Sequence, residues 1–222
     1  MRSKTFQAEA APPAAGYDLV LSRAFADRYT SHADAWTREP AMGRPVQILL
    51  RHASRGTLDV LDIGTGKARD VATLLMAGHH TTGLDLHEPA DWAQLRERWG
   101  RRVALEKAAF PAWDDRGRRF DAILDNGCFH HQHPDQYAAY LGGVRALLKP
   151  TGVFVVSVFT PHRRAQARGY FTKIDGGRLN RYFTEGELDA ALRDAGLRWE
   201  AGERIYRPNA HRFHLVTVAR PA

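Results

Sequence analysis

The chain has 222 residues, 44% of them hydrophobic, which is enough for one sizeable core and hardly two, so a single domain is expected. A formal net charge of +7 raises the question of a nucleic-acid partner, but 27 of the 32 basic residues are arginines scattered along the chain rather than gathered into one tract, so none is expected. No apolar run reaches the roughly 18 residues of a membrane helix and the N-terminus lacks the apolar centre of a signal peptide, so no membrane partner and a cytoplasmic location are expected; the single cysteine, Cys128, allows no internal disulfide.

Residues 1–16, rich in Ala and Pro, cannot bury much and are expected to be disordered. Tyr17, Leu21, Phe25, Tyr29 and Trp36 then recur near one face, predicting an amphipathic helix that Pro40 stops, and a second short helix runs through Val46, Leu49 and Leu50 toward Gly56. The segment 17–56 is thus a helical cap ahead of the first strand. Its aromatic stripe suits first an element that closes a sheet edge; the alternative is a lid over a ligand.

A strand over 58–63 leads into a helix through Val71, Leu74, Leu75 and Met76 that stops at Gly78. A second strand, 80–86, is followed by a helix over 89–99 that opens on acidic residues, as its positive end prefers. Strands at 103–105 and 120–124 flank a polar, turn-prone loop over 110–117. Pro134 suits the first turn of a helix through Tyr137, Tyr140, Leu141, Val144, Leu147 and Leu148. The nearly continuous apolar run 153–159 reads as a central strand covered on both faces. A long polar insertion, 160–183, carries Arg163, Arg164, Arg168 and Arg178 and the pair Gly176-Gly177; loops of this length are functional or disordered. Thr184 and Glu187 form a capping box for a helix that ends at Gly196, and strands over 197–206 and 213–219 flank a hairpin turn at Pro208-Asn209. The expected fold class is α/β: a three-layer, doubly wound sheet of seven strands, mostly parallel, with an antiparallel C-terminal hairpin strand and N-terminal helices.

The stretch VLDIGTGKA, residues 60–68, is a strand, a tight turn with Gly64 and Gly66, and the opening of a helix. Glycine allows the backbone to pass close to a ligand where a Cβ would collide. Asp85 ends the next strand at the distance where doubly wound folds place a carboxylate for ribose hydroxyls. With Asp62 two residues before the first glycine and Arg69 where a dinucleotide motif has its last glycine, the pattern disfavours a nicotinamide cofactor.

These motifs resemble those of the class I S-adenosylmethionine-dependent methyltransferases, whose first motif reads D-x-G-x-G-x-G; Ala68 stands at the third glycine position. The resemblance continues through FDAILDNGCFHH and YLGGVRALLKPTGVFVVSVF and covers about residues 57 to 219. It implies S-adenosylmethionine as cofactor, bound by residues 57–222 in a Rossmann-like domain. By that resemblance Asp62, Gly64, Thr65 and Gly66 serve the amino-acid half of the cofactor, and Asp85 and Leu86 its ribose. Many relatives carry an acid for the adenine amino group where this chain has Ala108, so Ala109 and the ring of Phe110 are the expected substitutes. Asp125 and Asn126 fall at the fourth motif, able to face the sulfonium, and Tyr29 and Trp36 are the expected lid residues, since aromatic faces attract cations.

The fourth motif lacks the N-P-P-Y or D-P-P-Y pattern of many base-amino methyltransferases, a further argument against nucleic acid. His130, His131 and His133 form H-H-x-H, but neighbouring histidines at this spacing rarely converge on a metal without another ligand, so no metal is expected. His131 is the preferred general base, with Asn126 and Tyr29 as its catalytic companions; the alternative for His131 is simple packing. The expected function is methyl transfer to a small-molecule N, O or S acceptor. Two alternatives stand beside it: other chemistry on the same cofactor, such as ring closure to azetidine-2-carboxylate, and a non-catalytic binding module. Neither the acceptor nor the oligomeric state is legible.

Overall fold

The structure, a computed structural model, describes residues 5–6, 14–174 and 176–222. The disorder expected over 1–16 falls mostly outside the described residues. Within that stretch, however, Thr5–Phe6 form a strand, β1, and residues 14–16 turn into helix α1, Tyr17–Thr30. The helix ends there rather than reaching Pro40, because the Thr30 and Ser31 hydroxyls bond back to the carbonyls of Ala26 and Asp27 and His32 takes a positive φ. Trp36 consequently sits in a separate 3-10 turn, Ala35–Thr37.

Helix α2, Arg44–His52, precedes the first central strand β2, Asp59–Ile63. Then follow α3 (Arg69–Met76), β3 (His80–Asp85), α4 (Asp91–Trp99), β4 (Val103–Lys107), β5 (Phe120–Asn126), α5 (Tyr137–Leu147) and β6 (Leu148–Thr160). The insertion at 160–183 is not a plain loop. It holds a hairpin, β7 (Tyr170–Lys173) and β8 (Leu179–Tyr182), whose outer strand also pairs with β1. Helix α6, Glu185–Asp194, opens on the expected capping box, and β9 (Leu197–Arg207) and β10 (Arg212–Pro221) close the chain as an antiparallel hairpin.

The seven expected strands are all present, with β1, β7 and β8 extending them into one sheet of ten. Its order is β1-β7-β8-β6-β5-β2-β3-β4, with β10 on β6 and β9 on β10. β2, β3, β4, β5 and β6 run parallel. β5 pairs with β6 as far as Ser157 while β10 holds the other edge through Thr160, so past the end of β5 the vacated edge is taken by β8, at Phe159 opposite Tyr182. Successive residues of β2 face opposite layers, as pleating requires. Leu61 and Ile63 join the core made with α5 and α6, whereas Val60 joins the core made with α2 and α3. That double cover explains the apolar run of β6. It also fixes the carboxyl ends of β2, β3, β5 and β6 along one rim.

Candidate active site

A cavity of about 270 Å³ opens along that rim. At one end stand the turn after β2 and the end of β3; at the other, the end of β6, the turn between β7 and β8 and the start of β10; helix α1 contributes to both. The turn is built for close approach. Gly64 and Gly66 both have positive φ, and a Cβ on Gly66 would lie 2.7 Å from the Tyr29 hydroxyl. The backbone N–H of Gly64 and of Thr65 donates to the Leu84 carbonyl, and the Gly66 carbonyl accepts from the Trp92 indole at 2.8 Å.

Asp85 accepts one backbone N–H on each oxygen, from Gly66 at 2.8 Å and from His87 at 2.9 Å. Each oxygen keeps a lone pair for a further donor. Burial raises its pKa, opposed by those two bonds. Asp62 is buried, and burial first, the Asp70 carboxylate second, raise its pKa. Thr65 Oγ1 and Asn126 Oδ1 are buried without a hydrogen-bond partner among the described residues. Two glycines that admit no side chain, a strand-end carboxylate with spare acceptor capacity and two unsatisfied polar oxygens fit the amino-acid and ribose parts of S-adenosylmethionine. Ala108, Ala109 and Phe110 form the next wall, Phe110 being held edge-on by Tyr140 at 4.7 Å. Glu106, the nearby acid, is bound by the Trp113 indole and Arg118.

Asp62, Gly64, Thr65, Gly66, Asp85, Leu86, Ala109, Phe110, Asn126, Tyr29, Trp36 and His131 all line this one cavity. Asp125 does not, and the reading that it faces the sulfonium is corrected. Its carboxylate is fully buried and accepts from the backbone of Gly127, Cys128 and Phe129 and from the Tyr140 hydroxyl at 2.7 Å. Burial pushes its pKa up to about 6 against these donors. It is the staple of the loop after β5.

The cap is tied to the glycine turn. Lys67 pairs with Asp34 at 2.9 Å, and Arg69 donates to the carbonyls of Trp36 and Met42 while pairing with Asp70. Asn126 donates to Asp70 and to the Met42 carbonyl, so its amide orientation is set. Tyr29 lies parallel to His87 at 5.5 Å, and its phenol is held neutral by burial and the Asp85 charge. Tyr17 and Leu21 are buried with Leu179, and the Tyr17 hydroxyl bridges the His131 carbonyl and the Leu179 N–H. Helix α1 is therefore both wall and core.

The histidines divide. His133 caps the turn at Pro134 by accepting the Asp135 N–H. His131 Nδ1 lies 3.2 Å from the Leu179 carbonyl, which can only accept, so Nδ1 carries the proton and Nε2 is bare. His130 is buried with neither ring nitrogen engaged among the described residues. Burial foremost, and then neighbouring histidine and arginine charges, hold both well below their ordinary pKa. Neutral imidazoles hemmed in by cations donate or accept hydrogen bonds but hold an extra proton poorly, which argues against His131 as the base. Among the described residues no group of three His, Cys, Asp or Glu is placed to hold a metal ion. Cys128 packs against Gly64, and burial pushes its thiol up.

Sequence reading missed the far end of the cavity. His214 Nδ1 meets Ser157 Oγ at 2.8 Å, and its Nε2 meets Arg207, which can only donate, so the tautomer is set. Arg207 is paired with Glu39, both buried. Arg212 and His214, two apart at the head of an otherwise apolar strand, were the available signal: alternation puts both on one face.

A doubly wound sheet with this glycine turn and strand-end carboxylate, beside a cavity partly walled by aromatic rings, defines a class I S-adenosylmethionine-dependent methyltransferase. Residues 34–201 match the family model described as a methyltransferase domain, and the chain belongs to that family. It is similar, at 40% identity with TM-score 0.91 over 99% of this chain and 95% of the other, to the 1,6-didemethyltoxoflavin-N1-methyltransferase of Burkholderia thailandensis, solved with 1,6-didemethyltoxoflavin and S-adenosylhomocysteine bound. The CcbJ methyltransferase of Streptomyces caelestis shares the fold at 20% identity and TM-score 0.62, covering 82% of this chain and 96% of its own. An S-adenosylmethionine-dependent methyltransferase of Mesorhizobium loti does so at 21% and 0.60, covering 78% and 96%. The protein is an enzyme, and its cofactor is S-adenosylmethionine.

Proposed function

We propose that the enzyme methylates a ring nitrogen of a small, flat heteroaromatic acceptor. The carrying observation is the similarity, over nearly the whole of both chains, to an N1-methyltransferase solved with such a compound bound. The lining supports it: Phe25, Trp36 and Phe159 are aromatic walls suited to a flat ring, and His131 has an uncharged, bare Nε2.

When bound, S-adenosylmethionine supplies an electrophilic methyl group: the acceptor nitrogen's lone pair forms the new N–C bond, and the S–C pair leaves with the sulfur. The residues hold and align. Gly64, Thr65, Gly66 and Asp85 would seat the amino-acid and ribose parts, and Ala109 and Phe110 the adenine. Tyr29 and Trp36 present rings and exclude water, which suits a displacement that depends on alignment more than on acid or base strength. Incubation with S-adenosylmethionine and 1,6-didemethyltoxoflavin, followed by mass analysis, tests the reading. A product one methyl heavier with matching S-adenosylhomocysteine is expected; cofactor consumed without a methylated acceptor would reject it.

A further inference from the structure

We propose that the acceptor binds as an anion, its negative charge held by Arg178, Arg212 and Arg28; this rests on the methyl-transfer reading of the same cavity. Arg178 is 5% exposed, its Nε is buried without a partner, and no carboxylate among the described residues lies within ion-pair distance of it. Its guanidinium sits 4.8 Å over the Phe25 ring, and Phe25 stands edge-on to His131 at 5.2 Å. His131 stands edge-on to Phe159 at 5.6 Å, and the Arg212 guanidinium lies 5.1 Å over that ring. Arg28 lies 5.9 Å over Trp36. All of these line the cavity.

The two other arginines of the cavity are neutralised, Arg69 by Asp70 and Arg207 by Glu39. Arg28, Arg178 and Arg212 have no such partner among the described residues. Of the carboxylates that line the cavity, Asp62, Asp70 and Asp85 belong to the glycine-turn end, and Asp18 sits on the exposed first turn of α1. A buried cation without a counter-charge is costly and is strained further by like neighbours. The cost is visible here: burial first, then Arg28 and Arg212, lower the Arg178 pKa to about 10. A ligand that brings the missing negative charge removes it.

The histidines point the same way. Because His130 and His131 are neutral among cations, neither is a good resting place for a proton taken from a ring N–H. Three guanidinium groups favour the ionised acceptor and so move that proton to water as the acceptor binds. The anion is planar and delocalised, either an ionised heterocyclic ring or a ring bearing a carboxylate. Both present the flat, charged edge that a guanidinium fork matches.

Calorimetric titration of the enzyme's S-adenosylhomocysteine complex at pH 7 with uracil, barbiturate and orotate tests this. Uracil is neutral, barbiturate is ionised in the ring, and orotate is uracil carrying a carboxylate. At least one anion should bind about tenfold more tightly than uracil, the scale of charge-assisted hydrogen bonds, and which one does identifies the source of the charge. In Arg178→Gln that margin should nearly vanish, while S-adenosylhomocysteine affinity holds and the melting temperature does not fall, since a buried cation unpaired among the described residues has been removed; Arg212→Gln gives a second reading if Arg178→Gln fails to fold. Equal binding of all three probes, no binding by any, or a margin that survives in the folded variants overturns the proposal. An anion preference without methylated product from any acceptor would instead reject the methyl-transfer reading.

Discussion

Replacing Glu39 by Ala should unfold the protein far more easily than its position in a short connecting segment suggests. Glu39 is 2% exposed and Arg207 6%, and the Arg207 Nε donates to Glu39 at 2.7 Å across 168 residues of sequence. Removing one partner of a buried pair leaves an uncompensated charge and costs about 3–5 kcal/mol. In a chain of this size each kcal/mol moves the melting temperature by about 2–4 °C, so a fall of roughly 6–20 °C is expected by differential scanning calorimetry at pH 7. The bared guanidinium would also face Arg212 and Arg69, whose charges already oppose it. It would release His214, which Arg207 holds at 3.2 Å. Replacing both partners by methionine should recover most of the loss, because a well-packed apolar pair avoids the desolvation. A fall of less than about 2 °C for Glu39→Ala, or a double variant no better than the single, would show that the Glu39–Arg207 pair does not carry this stability.

Asp85→Ala should weaken S-adenosylmethionine binding by about 1.5–3 kcal/mol, roughly 10- to 150-fold, by calorimetry; an unchanged dissociation constant removes Asp85 from the ribose site. Gly66→Ala places a methyl 2.7 Å from the Tyr29 hydroxyl at a φ of 52°, so cofactor affinity should fall, and adding Tyr29→Phe should recover part of it; no recovery would mean that backbone strain alone is responsible. Asp125 has its pKa raised from 3.8 to about 6, so the folded state keeps a proton that the unfolded chain has released, and this group's contribution to stability is lost as pH rises from about 4 to 6. Carboxylates with lowered pKa, such as Asp121 and Glu187, act in the opposite sense over acidic pH. The melting temperature of the wild type relative to Asp125→Asn should therefore fall across that window; a flat difference would contradict the assignment.

What could be read from the residues was local chemistry. The glycine turn, the acid ending β3, the capping box of α6 and the apolar run of β6 each carry their cause within a few residues. The missing features are held by partners distant in sequence. β7 and β8 are four residues each and pair with each other, with the two residues of β1 and with a single residue of β6, so no period marks them. Glu39, Arg207 and His214 meet only after the C-terminal hairpin folds back beside β6. Asp125 sat at the right strand end, yet its oxygens turn to the backbone of its own loop, a competition that short acids often win and that the residue type cannot reveal. His131 lines the cavity; its burial among Arg178 and Arg212, which decides its chemistry, comes from the insertion and the hairpin.

We propose that the methyl group of S-adenosylmethionine ends on a ring nitrogen of a flat acceptor. The most direct measurement is incubation of the enzyme with methyl-labelled S-adenosylmethionine, with and without 1,6-didemethyltoxoflavin, and location of the label in every product by mass spectrometry and NMR. Label on a ring nitrogen is expected, formed in step with S-adenosylhomocysteine and only when the acceptor is present. Cofactor consumed equally without acceptor, with azetidine-2-carboxylate as product and the label left on sulfur, would contradict it.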